Sequence, residues 1–253
     1  MDLKEIVADA FKYPFGDKEQ FLMISAVYAL LGIILSAGII SAPFYNGAFR
    51  VISYLAFSIT FLYLSGYQVD IIRISCELKD HIPRFNPRKN IKDSLRLLVL
   101  SLVFSVIIGV LYFIGLLSFI LLLRSGEIVG FVLAIIVYII LLIALLLVIW
   151  LIFMSICRLA YFGFNESLEI RESFNDLKKI GFGKIFVYMI LVYIVVGIIS
   201  SAGLLLSLGI FELVETSPGL VIAIAVYFAI QSYVFVFQSR AMGLLYTNAI
   251  YDI

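Results

Sequence analysis

Residues 128–157 read IVGFVLAIIVYIILLIALLLVIWLIFMSIC, thirty residues in a row without a charged side chain. A helix needs about 20 mostly apolar residues to cross the hydrocarbon core of a bilayer, so this stretch predicts a membrane-spanning helix. Comparable apolar runs occupy residues 21–42, 48–72, 94–123, 185–211 and 219–246. The chain is 64% hydrophobic and 14% charged, whereas soluble domains are about a quarter charged. We therefore predict an all-α fold, a six-span transmembrane helix bundle in which residues 1–253 form a single integral membrane domain.

Short segments rich in turn-forming residues connect the two apolar runs of each successive pair. They lie at residues 43–47, 124–127 and 212–219 and contain Gly, Pro, Asn or Ser, which favour reversal of the chain. The segments between pairs are longer and charged. The six spans are therefore expected to form three hairpins.

Lysine and arginine are distributed unequally between the two ends of these hairpins. Sixteen lie at the end that carries both termini, and only Arg50 and Arg124 lie at the opposite end. Basic segments beside the spans stay on the cytoplasmic side. The count predicts a multi-pass protein of the cell membrane with both termini in the cytoplasm.

Two segments outside the spans, residues 1–16 and 166–180, have the apolar spacing of amphipathic helices. In the first, Asp2 with Glu5 matches a capping box, and Tyr13-Pro14 is expected to end the helix. Its acidic residues argue against a cleaved signal peptide. Its apolar stripe either lies in the headgroup boundary on the cytoplasmic face or packs against the inner end of the bundle, and the pattern leaves both open. The second segment should stop at Gly181.

Polar side chains in the spans are the first candidates for function, because lipid makes them costly. Asp70 is expected to pair with Arg73 one turn on, to pair with Arg240 across the bundle, or, like Arg240, simply to reach headgroups and water at the interface. The glutamines of span six either line a solute path or form interhelical hydrogen bonds that fix the packing. The candidate cluster comprises Gln68, Asp70, Gln231, Gln238 and Arg240.

A run of basic residues precedes span three. Such a run can bind anionic lipid headgroups, or it can serve only to set the topology. The candidates for anionic-lipid contact are Arg84, Arg88, Lys89, Lys92 and Arg96.

The sequence contains no clear motif of a catalytic, metal-binding or nucleotide-binding site. The only histidine, His81, lies near Cys76, and two ligands are fewer than a zinc site uses. The pattern GxxxxGK[ST] of phosphate-binding loops is absent from the sequence. A net charge of +1 gives no reason to expect a nucleic-acid partner. We predict no cofactor, no metal and no enzymatic activity.

Three short motifs carry a resemblance to a known family. They are Tyr13-Pro14-Phe15 before span one, Gly66-Tyr67 followed by Arg73, and Pro83-x-Phe85 before span three. Together they resemble an uncharacterised family of archaeal and bacterial multi-pass membrane proteins, known as a domain of unknown function. The resemblance implies the membrane architecture and no reaction.

The function predicted from these patterns is that of a non-enzymatic helix bundle that engages lipid or organises a membrane complex through its cytoplasmic face. The alternative is a transporter of a small solute or lipid, or the membrane subunit of one. The bilayer, with its anionic headgroups, is the expected partner, and the patterns predict no particular protein partner.

Overall fold

The computed structural model describes residues 1–40, 47–124 and 128–251. Within these residues the chain is helical and contains no strand. The helices are α1 (Leu3–Gly16), α2 (Lys18–Ile40), α3 (Gly47–Cys76), α4 (Pro87–Arg124), α5 (Ile128–Tyr161), α6 (Phe164–Ser167), α7 (Ile170–Ile180), α8 (Phe182–Val214) and α9 (Ser217–Ile250). Six of them, α2, α3, α4, α5, α8 and α9, are long and apolar enough to cross a membrane. The predicted all-α, six-span architecture is confirmed.

The ends of the helices follow local capping chemistry. The predicted capping box of Asp2 and Glu5 starts α1, and the Asn86 side chain accepts a hydrogen bond from the Lys89 amide where α4 begins (3.3 Å). Gly181 ends α7 as predicted, with a φ of +92° that favours glycine. The predicted turns at 43–47 and 124–127 lie largely outside the described residues.

Two predicted boundaries were wrong. Pro14 lies inside α1, which continues to Gly16. A proline so near the end of a helix removes a single backbone hydrogen bond, and burial of Tyr13 and Pro14 offsets that loss. The segment 166–180 is divided between α6 and α7, and at the break the Glu166 carbonyl accepts a hydrogen bond from the Arg158 guanidinium (2.9 Å).

Helix α9 is the centre of the bundle and contacts α1, α2, α3, α5, α7 and α8. From Ser239 to Ala249 every side chain of α9 is buried. Around this half of α9 lie α1, the segment 77–86, α6 and α7, and we call this end of the bundle the charged end. At the opposite end the outer halves of α4 and α5 are largely exposed.

Helices α1 and α2 both run antiparallel along α9. Contacts that record the register pair Met1 with Asn248, Asp9 with Arg240, Ser25 with Ser232, and Gly32 with Ala225. On α1, Ile6 and Ala10 are fully buried. The stripe of α1 therefore packs against the bundle, and the helix stands along α9 instead of lying across its end.

Candidate functional site at the charged end

The charged end contains three arginine centres, two on buried arginines (Arg240 and Arg158) and one on the half-buried Arg73. The first is built on Arg240 of α9. This side chain is only 2% exposed. Its guanidinium donates to Asp9 of α1 (2.8 Å), to the Lys79 carbonyl (2.5 Å) and to Asp80 (2.8 Å), and it lies 4.5 Å from the centroid of the Tyr13 ring. One arginine thus holds α1 and the segment 77–86 against α9.

Tyr13 completes this first centre. Its hydroxyl donates to the His81 carbonyl (2.7 Å), so α1 and the segment 77–86 also contact each other directly. Burial raises the pKa of the Tyr13 phenol above its ordinary value. The phenol consequently stays neutral and keeps its role as a hydrogen-bond donor.

The second centre joins α5, α7 and α9. Arg158 of α5 donates to Asp176 of α7 (2.8 Å), and the Tyr246 hydroxyl of α9 donates to the same carboxylate oxygen (2.6 Å). Arg158 and Asp176 are each 7% exposed, and Tyr246 is fully buried. A buried arginine and a buried carboxylate stabilise each other only when both are paired and hydrogen-bonded, and here both conditions hold.

The third centre joins α3, α4 and α5. Arg73 of α3 pairs with Asp70 and with Asp93 of α4 (3.0 Å), and its Nε donates to the Ala160 carbonyl of α5 (2.7 Å). Asp70 and Asp93 are buried. Asp70 therefore pairs with Arg73, one of its expected partners. Arg240 pairs with other carboxylates, Asp9 and Asp80.

The three centres share one arrangement. Each arginine lies in the second helix of a hairpin. Each binds a carboxylate at or before the start of the next hairpin around the bundle: Asp93 in the first turns of α4, Asp176 in the segment before α8, and Asp9 in the segment before α2. Arg240 in addition pairs with Asp80 of the segment 77–86, which precedes the second hairpin. The pairs thus connect the three hairpins in a ring.

Sulfur contacts bring the three second helices to a common level. Cys76 of α3 lies 3.6 Å from the Gly243 carbonyl of α9, and Cys157 of α5 lies 3.8 Å from the Met242 carbonyl. Both thiols are fully buried. They serve in the packing of α3 and α5 against α9.

The junction of α3 with the segment 77–86 and α4 depends on close packing. The Tyr67 hydroxyl donates to the Pro83 carbonyl (2.7 Å), and the Tyr67 ring stacks on Phe85 with centroids 4.2 Å apart. Gly66 faces the Asn90 backbone so closely that any Cβ there would overlap it. The glycine is therefore required by the approach of α4 to α3.

The structure divides the basic run before span three into two groups. Lys89 pairs with Asp70 (2.6 Å) and Arg96 with Asp93 (3.0 Å), so these two belong to the third centre. Arg84, Arg88 and Lys92 are exposed, and among the described residues no carboxylate lies within 4.0 Å of them.

The polar residues predicted in the spans do not form one cluster. Gln231 of α9 accepts a hydrogen bond from Ser200 of α8 (3.3 Å), while its Nε2 is buried without a partner. Gln68 and Gln238 are half-buried. Asp70 and Arg240 belong to different arginine centres. The Ser200 contact is the interhelical hydrogen bond that was one of the two expectations for Gln231.

The residues that sequence reasoning missed are the carboxylates Asp9, Asp93 and Asp176 and the arginine Arg158. Asp176 had a detectable signal: Ser173, Asp176, Leu177 and Ile180 form one buried helical face of α7, and an acid on the apolar face of a helix needs a partner. Within the described part of the chain, His, Cys, Asp and Glu form no group of three that could hold a metal ion.

Residues 50–208, more than half of the chain, match the model of a family described as a protein of unknown function, DUF4013. The chain belongs to the DUF4013 family. The predicted resemblance to an uncharacterised domain family is confirmed. No curated protein and no solved structure matches the chain.

The DUF4013 match extends from α3 into α8. It includes the Arg73 centre, the Arg158–Asp176 pair of the second centre, and the Gly66, Tyr67 and Phe85 junction. The motif Tyr13-Pro14-Phe15, Arg240 and its partner Asp9 lie outside the matched residues. The motifs at Gly66-Tyr67 and Pro83-x-Phe85 now have a physical role, since they let α4 pack on α3.

Proposed function

We propose that this DUF4013 protein is a non-enzymatic membrane helix bundle that engages anionic lipid headgroups at its charged end. The observation that carries the proposal is the division of the basic run. Arg84, Arg88 and Lys92 are exposed and have no carboxylate partner among the described residues, whereas Lys89 and Arg96 are paired with Asp70 and Asp93. Exposed cations beside a span attract anionic lipid.

The face of α4 that carries these cations continues into an apolar stripe. Arg88 and Lys92 lie one turn apart, and the stripe that follows at helical spacing is exposed and apolar: Leu95, Val99, Leu102 and Val106. A cationic end followed by an apolar length matches a lipid, with its anionic headgroup and its acyl chain.

The interhelical register supports a position at the headgroup layer. Helix α2 has 23 residues, about 34 Å at 1.5 Å per residue, close to the hydrocarbon thickness of about 30 Å. Lys18 therefore lies at one edge of the hydrocarbon. Contacts between neighbouring helices show which residues lie at the same depth as Lys18. They join α2 to α9 at Ser232, α9 to α3 at Gly243, and α3 to α4 at Lys89, so the first turns of α4 lie at that depth. Arg88 and Lys92 lie within about one turn of it.

The proposal that the chain is not an enzyme is supported by how its buried charges are used. Arg73, Arg158 and Arg240 each bind carboxylates of neighbouring helices. These groups neutralise one another and join helices, which is a structural use. The excess of lysine and arginine at the charged end supports a cytoplasmic orientation for that end.

Native mass spectrometry from micelles that contain equal phosphatidylglycerol and phosphatidylcholine tests the lipid proposal. The wild-type chain should retain the anionic lipid in preference. Replacement of Arg84, Arg88 and Lys92 by glutamine should lower that retention by up to about a hundredfold, since each basic residue near an anionic surface contributes about 1 kcal/mol.

The matched control changes the same charge elsewhere at the charged end. Arg171, Lys178 and Lys179 of α7 are also exposed, and their replacement by glutamine should leave retention within about twofold of the wild type, because the proposed contact is on α4. Equal losses in the two triple variants would show a non-specific charge effect and overturn the site. Unchanged retention in the α4 variant would overturn it as well.

A transporter is the second candidate, and one observation favours it. The buried Nε2 of Gln231 has no hydrogen-bond partner among the described residues, and an unpaired polar group in the membrane is costly. A solute with an acceptor atom would satisfy that donor. The bond between Ser200 and Gln231 favours a packing role, so transport is the weaker of the two.

A further inference from the structure

Helix α1 carries apolar side chains on two faces, and only one of them is used by the bundle. Ile6, Ala10 and Tyr13 are buried against the rest of the chain. Phe11 is 48% exposed and Phe15 is 56% exposed. Exposure of a large apolar side chain to water is unfavourable in free energy unless another apolar phase covers it. The second face of α1 is therefore expected to contact such a phase.

The two phenylalanines belong to what we call the aromatic patch: Phe11, Phe15 and Phe21 with Tyr233. Tyr233 of α9 is at its centre, with its ring centroid 5.7 Å from that of Phe11 and 5.6 Å from that of Phe15. The Tyr233 hydroxyl donates to the Phe11 carbonyl (2.6 Å). These contacts hold the end of α1 in a fixed position beside α2 and α9.

The level of the aromatic patch coincides with the edge of the hydrocarbon. Phe21 lies in the first turn of α2, whose length matches the hydrocarbon thickness. Leu22, next along α2, is 67% exposed on the outside of the span and faces lipid. The patch is therefore continuous with the lipid-facing surface of the bundle.

The exposed face of α1 changes character along the helix. At helical spacing it carries Lys4, Ala8, Phe11 and Phe15. The register with α9 places Met1 beside Asn248, near the end of α9, and Phe11 beside Tyr233, nearer its middle. The polar end of this face therefore lies farther from the middle of the membrane than the aromatic end. The change from lysine to phenylalanine follows the change from water to membrane.

We propose that the aromatic patch is a membrane-interface anchor whose partner is the boundary between the headgroups and acyl chains of the surrounding bilayer. Aromatic side chains are enriched at that depth, and Lys12 and Lys18 beside the patch are exposed and suit the headgroups above it. Only the Phe11–Phe15 end of α1 enters the boundary, and the Lys4 end stands clear of it. This inference rests on the membrane spans and is independent of the proposed anionic-lipid contact on α4.

Tryptophan quenching in nanodiscs tests the anchor. Trp150 is the only tryptophan, so a Trp150→Phe background allows one probe to be placed at Phe15 and, in a second variant, at Ala8 on the same face. Lipids brominated near the top of their acyl chains should quench the Phe15→Trp probe at least about threefold more than the Ala8→Trp probe, because only the former lies at the interface.

The same two positions give a readout that leaves Trp150 in place. Spin labels on Phe15→Cys and Ala8→Cys can be compared for contact with oxygen, which concentrates in lipid, and with a polar nickel reagent. Cys76 and Cys157 are fully buried, so the labels attach at the new positions. Equal lipid contact at both positions would mean that α1 lies flat in the boundary, and lack of lipid contact at Phe15 would mean that the patch is not an anchor. Either result would overturn the proposal.

Discussion

Replacement of Gly66 by alanine should destabilise the bundle, because α3 and α4 meet at this glycine. A Cβ at Gly66 would lie 2.8 Å from the Asn90 carbonyl carbon and closer still to its oxygen, whereas ordinary contact begins at 3.4 Å. The obstacle is backbone, so the helices must separate by about 1 Å, and overpacking of this kind costs about 1–3 kcal/mol. Alanine recovers about 1 kcal/mol of helix propensity. We expect a net loss of about 2 kcal/mol, because the separation also weakens the Arg73–Asp93 pair.

The measurement is reversible unfolding in mixed micelles, followed by circular dichroism. Gly197 in α8 supplies the matched control, since nothing lies within 4 Å of a Cβ placed there. Gly197→Ala should be neutral or raise the free energy of unfolding by up to about 1 kcal/mol. If Gly66→Ala were as stable as Gly197→Ala, the close approach of α3 and α4 would be refuted as the reason for this glycine.

The other predictions concern the Arg158 centre, the glutamine of span six and the topology. Asp176→Asn should lower the free energy of unfolding by about 3 kcal/mol, since it removes the only buried carboxylate paired with Arg158 and leaves the exposed Glu169 at 3.9 Å. A loss below about 1 kcal/mol in the same unfolding assay would contradict this. Gln231→Leu should be nearly neutral in stability, because intramembrane hydrogen bonds contribute about 0.6 kcal/mol on average, and loss of solute binding with intact folding would instead favour the transporter. In a chain with Cys76 and Cys157 replaced by alanine, Ser217→Cys should react with an impermeant thiol reagent in intact cells and Lys178→Cys should not. The reverse pattern would overturn the cytoplasmic orientation of the charged end.

The spans were predictable because lipid imposes one simple demand on a sequence. Residues 128–157 carry no charge over thirty positions, and such a run has few structures other than a membrane helix. The helix cap was predictable because capping is local: Asp2 and Glu5 accept hydrogen bonds from amide groups within one turn of themselves. Local chemistry failed at Pro14, where burial of the neighbouring residues offset the proline.

The arginine centres were not predictable, because their members are far apart in the chain. Asp9 and Arg240 are separated by 231 positions, and periodicity gives no information at that distance. In sequence, Lys89 and Lys92 are equivalent members of one basic run. The structure distinguishes them, since Lys89 pairs with Asp70 and Lys92 has no carboxylate partner among the described residues. Only the fold shows which cations remain available to a lipid.

The centres also explain why three hairpins form one bundle. In lipid, apolar helix faces gain little from meeting each other, because acyl chains are as apolar as leucine. Close contacts at small residues such as Gly66 and Gly32 give dispersion and fit, but they act between pairs of helices. Each centre, by contrast, contains at least one buried charge that would be strongly destabilising without its partner: Arg158, Arg240, or the Asp93 carboxylate that pairs with Arg73. The arginine and the carboxylate of each pair belong to successive hairpins of the ring.

Helix α1 has a defined place in this arrangement. It supplies Asp9, the carboxylate that pairs with Arg240. In the same way α7 supplies Asp176 to Arg158, and the start of α4 supplies Asp93 to Arg73. Each unit needs only an arginine in the second helix of one hairpin and an acid at or before the start of the next hairpin around the bundle. Those two requirements leave the remaining residues free to differ, which is why the chain repeats its chemistry three times without a visible repeat of sequence.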